Sequence, residues 1–152
     1  MSGDEPYAGH NPLAVLLLAA AGLGATPWLL AHGVRLLFRA GAARTAGAAL
    51  AAATALTWAA AVGMYTWGVL HLVFLDESSQ SQACAKAVGT RQIAAYEPSF
   101  VPLRFDCRTS DGHTFEAVVP SYLNPSVAVL GVGAAAFTCA GFARARSDED
   151  VS

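Results

Sequence analysis

Charge is what this sequence has least of. Asp, Glu, Lys and Arg make up only 13% of its 152 residues, against 55% hydrophobic, whereas soluble domains carry about 25% charged residues. The formal net charge of -2 speaks against nucleic acid, which needs a basic face to displace phosphate counterions. The first ten residues, "MSGDEPYAGH", hold Asp4 and Glu5 but no Lys or Arg. A cleavable signal opens with positive charge, so the apolar run that follows is expected to stay in the mature chain. C-x-x-C is missing, and with it the usual motif of a thiol oxidoreductase, in which a thiolate pKa is depressed. C-x-x-C-H is also missing, which excludes covalent haem.

The apolar residues that are present come in blocks. "NPLAVLLLAAAGLGATPWLLAHGV" (11–34), "AGAALAAATALTWAAAVGMYTWGVLHLVFL" (46–75) and "NPSVAVLGVGAAAFTCAGF" (124–142) contain no Asp, Glu, Lys or Arg. Each reaches the roughly 18 residues that a bilayer core demands. The expected fold is therefore an all-α membrane protein of three transmembrane helices, 12–38, 46–75 and 124–143. Between them lie an N-terminal tail (1–11), a short link (39–45), a longer loop (76–123) and a C-terminal tail (144–152). Ion or proton paths need buried charge or a water-lined cavity, and the spans carry no Asp, Glu, Lys or Arg deep within them, their available polar residues including Thr26, Thr54, Thr57, Thr66 and Thr138. Threonine hydroxyls can satisfy themselves on backbone carbonyls of the preceding turn.

Asn11-Pro12 and Asn124-Pro125 each read as a side-chain N-cap followed by proline at the first helical position. Pro27 predicts a bend in the first helix, with Thr26 available to re-satisfy the freed backbone group. His32, Arg35 and Arg39 fall opposite Val34, Leu37 and Phe38, an amphipathic exit suited to the membrane surface. Orientation follows from basic residues near helix ends. Arg35, Arg39 and Arg44 crowd the first link and Arg144 and Arg146 follow the last helix, while Lys86, Arg91, Arg104 and Arg108 lie far from the ends. The N-terminus is thus expected outside, the C-terminus in the cytoplasm and the 76–123 loop outside, in a multi-pass plasma-membrane protein.

Outside the cell, Cys84 and Cys107 meet oxidising conditions and are expected to form a disulfide. Closing that loop constrains the unfolded chain by roughly 3 kcal/mol. Asp111-Gly112 between two β-rich runs predicts a hairpin with strands Leu103–Thr109 and 114–119 and a two-residue turn. That register sets Cys107 opposite Glu116 and Phe105 opposite Val118. Pro98 and Pro102 keep "EPSFVP" extended, and "DESSQSQACAKAVG" is expected to continue the second helix as far as Gly89.

A cysteine after a transmembrane helix, "PLRFDC" approaching the second cysteine, and "VVPSYLNPSV" running into the last helix together resemble small integral membrane proteins common in actinobacteria. The resemblance covers about the last half of the chain. It implies a membrane location and a paired outer loop, and lends no catalytic residue. One Lys against eight Arg with abundant Ala is also the composition of a GC-rich bacterial genome.

Candidate functional residues are of two kinds. Gly47, Ala51, Ala55, Ala59 and Gly63 recur at i, i+4 in the second helix, and Gly131, Ala135, Cys139 and Ala143 in the third. Such stripes let helix backbones approach in lipid, and Cys139 reads as a small buried packing residue. In the loop, Tyr96, Phe100, Phe105, Phe115 and Tyr122 stand among both signs of charge and read as a binding surface, or as aromatics that pack on one another or rest on the bilayer surface. His32 and His71 fall near opposite membrane faces, so they do not form one haem site, and His10 with His71 is too few ligands for zinc. No cofactor or metal is assigned. The function expected is non-catalytic: a binding or accessory subunit in the bilayer, partnered by another membrane protein or a second copy. The alternative is a membrane thiol-disulfide or cofactor-handling protein.

Overall fold

The computed structural model describes residues 11–43, 45–74, 77–117 and 119–149. Residues 1–10, with His10, and Arg44, Leu75, Asp76, Val118 and 150–152 lie outside the described residues. In chain order the elements are α1 (Pro12–Ala43), α2 (Ala46–Phe74), α3 (Glu77–Val88), β1 (Ile93–Phe100), β2 (Leu103–Thr109), β3 (Thr114–Glu116) and α4 (Leu123–Glu149). Three of these helices, α1, α2 and α4, are long and apolar enough to cross a membrane, with mean hydropathy 2.0, 1.5 and 1.8 over their best windows. Both outer helices overrun the expected bounds. Residues 39–43 and 144–149, expected as link and tail, are helical because Arg and Ala are strong helix formers and no proline interrupts them.

Asn11 caps α1 as expected, its Oδ1 accepting from the N–H groups of Leu13 and Ala14 at 3.0 and 3.4 Å. Thr54, Thr57 and Thr138 donate to the carbonyls of Leu50, Ala53 and Ala134 four residues earlier. Thr26 behaves differently. Its hydroxyl is buried without a hydrogen-bond partner, so it does not repair the bond lost at Pro27. The Thr26 methyl is turned toward Gly63, where an added side-chain carbon would lie 3.1 Å from it.

Two compact units divide the chain, one of Thr66–Asn124 with the beginning of α1, the other of Ala21–Tyr65 with the remainder of α4. The first contains α3 and a three-stranded antiparallel sheet in the order β1-β2-β3. α3 stops at Gly89 as expected: the glycine takes φ 69° and its N–H donates to Ala85 O at 3.0 Å, a left-handed cap that lacks a Cβ penalty. Of β1 (93–100) only 97–100 were expected to be extended, and the whole segment is a paired strand. Pro98 is tolerated there because β1 is an edge strand. Val101 and a cis-Pro102 make the turn into β2.

The β2–β3 hairpin forms, but one residue out of the expected register. Cys107 pairs with Phe115 and Asp106 with Glu116. The loop has three residues, Ser110 to Gly112, closed by Thr109 N–H to His113 O at 2.8 Å, with Gly112 at φ 82°. The expected register would have set the Glu116 carboxylate beside the fully buried Cys107, where desolvation is costly. The slip brings Phe115 to that face and turns Glu116 outward. Ala117, not Val118, stands opposite Phe105, donating to its carbonyl at 3.2 Å.

The second unit is built on small residues. Ala52, Ala55, Ala59 and Ala134 are buried. Gly33 is covered by Leu56, so closely that a Cβ there would lie 2.8 Å from the leucine Cγ. Trp58 Nε1 donates to Thr138 Oγ1 at 3.2 Å, which fixes the rotation of α4. That rotation overturns one expectation. Ala135, Cys139 and Ala143 face outward, and Cys139 is an exposed thiol. In a helix rich in Ala and Gly, i, i+4 spacing alone does not choose the buried face.

Candidate functional site

The centre of the sheet unit is β2. Leu103, Phe105, Cys107 and Thr109 alternate inward, while Arg104 and Arg108 point out. Successive side chains of a strand take opposite faces, so one face is a core and the other is wet. α3 supplies the cover, with Cys84 and Val88 one helical turn apart and both buried. The Cys84–Cys107 disulfide joins helix to central strand with the Cα atoms 5.7 Å apart, and both cysteines are 0% exposed. A thiolate must reach a sulfur to exchange with it, and here neither sulfur is accessible.

Four of the five loop aromatics belong to that covered face. Phe105 is fully buried, so it supports the unit rather than presenting a surface. Tyr96 lies against it with ring centroids 5.5 Å apart, and Phe100 and Phe115 are half-buried beside it. Tyr122, 54% exposed, is the one of the five that is open to a partner. Arg91 lies 5.5 Å over the Phe115 ring and 3.4 Å from Asp111. On the wet face Arg108 pairs with Glu97 at 3.0 Å. These ion pairs are about half exposed, so they add little stability and leave their charges available.

Sequence reasoning missed the residues that hold the sheet to the helices of its own unit. Asn124 was expected to cap the last helix. Instead α4 begins at Leu123, and the Asn124 amide clamps the backbone of Leu103: Oδ1 accepts from its N–H at 3.1 Å and Nδ2 donates to its carbonyl at 2.9 Å. Pro125 then falls in the first turn, where a missing N–H costs nothing. Leu103 and Leu123 are both fully buried and both press on Gly68 of α2, where a Cβ would lie 2.8 and 2.5 Å from their methyls. The apolar alternation of β2 signalled Leu103. The sequence around Asn124 carried no signal beyond an ordinary cap.

In the helical unit, α1, α2 and α4 enclose a cleft of about 660 Å³. The α2 stripe divides here. Ala55 and Ala59 are buried and Gly63 meets Thr26, whereas Gly47 and Ala51 are exposed and line the cleft. His32 also lines it, stacked on Trp28 at 5.6 Å and 6°. His71 belongs to the other unit, its Nδ1 2.9 Å from Trp67 O and its ring edge-on to the indole.

No protein-family model matches this chain, and no curated protein or solved structure is similar to it.

Proposed function

We propose that this chain is an integral membrane protein of the actinobacterial kind its loop sequence resembles, crossing the plasma membrane three times. It works by binding, as an accessory subunit whose outer part is the stapled sheet unit. Support for the bilayer comes from the large apolar side chains that α1, α2 and α4 turn outward, among them Leu13, Leu17, Trp28, Phe38, Val129 and Phe142. Water would penalise such a surface, and lipid does not. The orientation rests on the arginines at the helix ends, Arg35 and Arg39 on α1 and Arg144 and Arg146 on α4, which belong in the cytoplasm. The α3-to-β3 segment then lies outside.

One observation carries the reading: a fully buried disulfide sits in the segment between α2 and α4. Disulfides persist in oxidising compartments, and an inaccessible one is a staple rather than a reagent. The surface left for a partner is the charged face of the sheet, with Arg104, Arg108 and Glu97, and the exposed Tyr122 beside the start of α4.

On cells treated with a mild denaturant that opens the sheet unit, a membrane-impermeant maleimide should label Cys84 and Cys107 only after reduction. Labelling without reductant would remove the disulfide. Protection after reduction, persisting in denaturant, would remove the outward orientation.

A further inference from the structure

The cleft in the helical unit is apolar over most of its wall, with Leu36, Leu50, Trp58 and Phe137 facing it. Arg144 from α4 and His32 from α1 also reach it, and among the described residues no Asp or Glu does. The hydroxyls of Thr54 and Thr138 are committed to carbonyls of their own helices at 2.9 and 2.7 Å. Arg144 is itself exposed. A guanidinium is a planar fork matched to phosphate and carboxylate oxygens, and here it stands at the margin of an apolar slot. The volume suits one small amphiphile.

From this charge complementarity we propose that the cleft binds one anionic phospholipid, with its phosphate on Arg144 beside His32 and an acyl chain along Trp58 and Phe137. A zwitterionic lipid fits the slot but brings its own cation to the guanidinium. This inference rests on the reading that the three helices span the bilayer. In the orientation proposed, Arg144 lies at the cytoplasmic leaflet, where anionic lipids gather and basic pockets between helices hold their headgroups.

The test uses the full chain carrying Trp67→Phe, so that emission comes from Trp28 and Trp58 of the cleft. It is reconstituted in vesicles containing brominated phosphatidylglycerol or brominated phosphatidylcholine. Half-maximal quenching should need a roughly fivefold lower mole fraction of the anionic lipid. Arg144→Gln should abolish that preference and Arg144→Lys should restore most of it. Equal quenching by the two lipids, or an Arg144→Gln variant that keeps the preference, overturns the headgroup site while leaving the spanning reading intact. Quenching by aqueous iodide and by neither lipid overturns the spanning reading, and this proposal with it. Protection from both quenchers, with cross-linking between copies across the cleft, assigns the slot to a second copy and overturns the lipid.

Discussion

The stapled sheet unit and the helical unit of this protein solve opposite problems. Around β2, the chain separates a buried face from a charged one, and it fastens the buried face with a covalent bond, a two-point amide clamp and three fully buried side chains, Leu103, Phe105 and Leu123. In the helical unit the polarity is reversed. Large apolar residues point outward, and the interior is made of Ala, Gly and Thr. Burial of apolar area from water organises the first. Close backbone approach through small residues organises the second, as it does where lipid leaves helices no hydrophobic reason to associate. Stability in one region is therefore directional and local, and in the other it depends on shape along whole helices.

The strongest way to break this contrast is to remove the staple. Replacing Cys84 and Cys107 together by Ser should lower the stability of the sheet unit by about 3 kcal/mol, the chain entropy of the freed loop. Hydrogen exchange should rise across α3 and β1 to β3 and stay unchanged in the helical unit. Equal exchange in both would show that the helices depend on the staple.

Asn124→Ala comes next. It leaves the buried N–H and carbonyl of Leu103 without partners, at about 2 kcal/mol. Proteolysis between β1 and β2 should report the loss, while Asn124→Asp, which keeps only the acceptor, should fall between. If the clamp contributes nothing, cleavage rates will match the unmodified protein.

In the helical unit, Ala59→Leu should overpack the interior and cost roughly 1 to 3 kcal/mol in a detergent unfolding assay. Ala60→Leu, on an exposed face, should cost less. Indistinguishable midpoints would dismiss small-residue packing as the organising principle. The smallest effect is expected at Gly112, where the φ of 82° makes Ala unfavourable by about 1 kcal/mol. Gly112→Ala should raise exchange at Thr109 and Thr114 alone.

Much of the helical framework is legible from the sequence because its signals are local. Three uncharged apolar blocks, Asn11 as a cap, Gly89 as a stop and Asp111-Gly112 as a hairpin each act within a few residues, and each appears in the structure, the hairpin with a three-residue turn and its register shifted by one. What resisted reading depends on partners far along the chain. β1 forms because β2 offers 93–100 an edge, which Pro98 does not advertise. The hairpin register shifts because burying Phe115 beside Cys107 is cheaper than burying Glu116 there, a choice set by the core under α3.

The candidate sites divide in the same way. Composition and charge placement alone identified Cys84 and Cys107 as the pair, and Ala55, Ala59 and Gly63 of α2, though not Gly47 and Ala51, as packing surface. Only tertiary structure decided that Phe105 is core, that Cys139 faces out, and that the amide of Asn124 serves Leu103 twenty-one residues earlier instead of its own helix. Rotation about a helix axis and the partner of an amide are set by which surfaces meet. A window of sequence contains only one of the two.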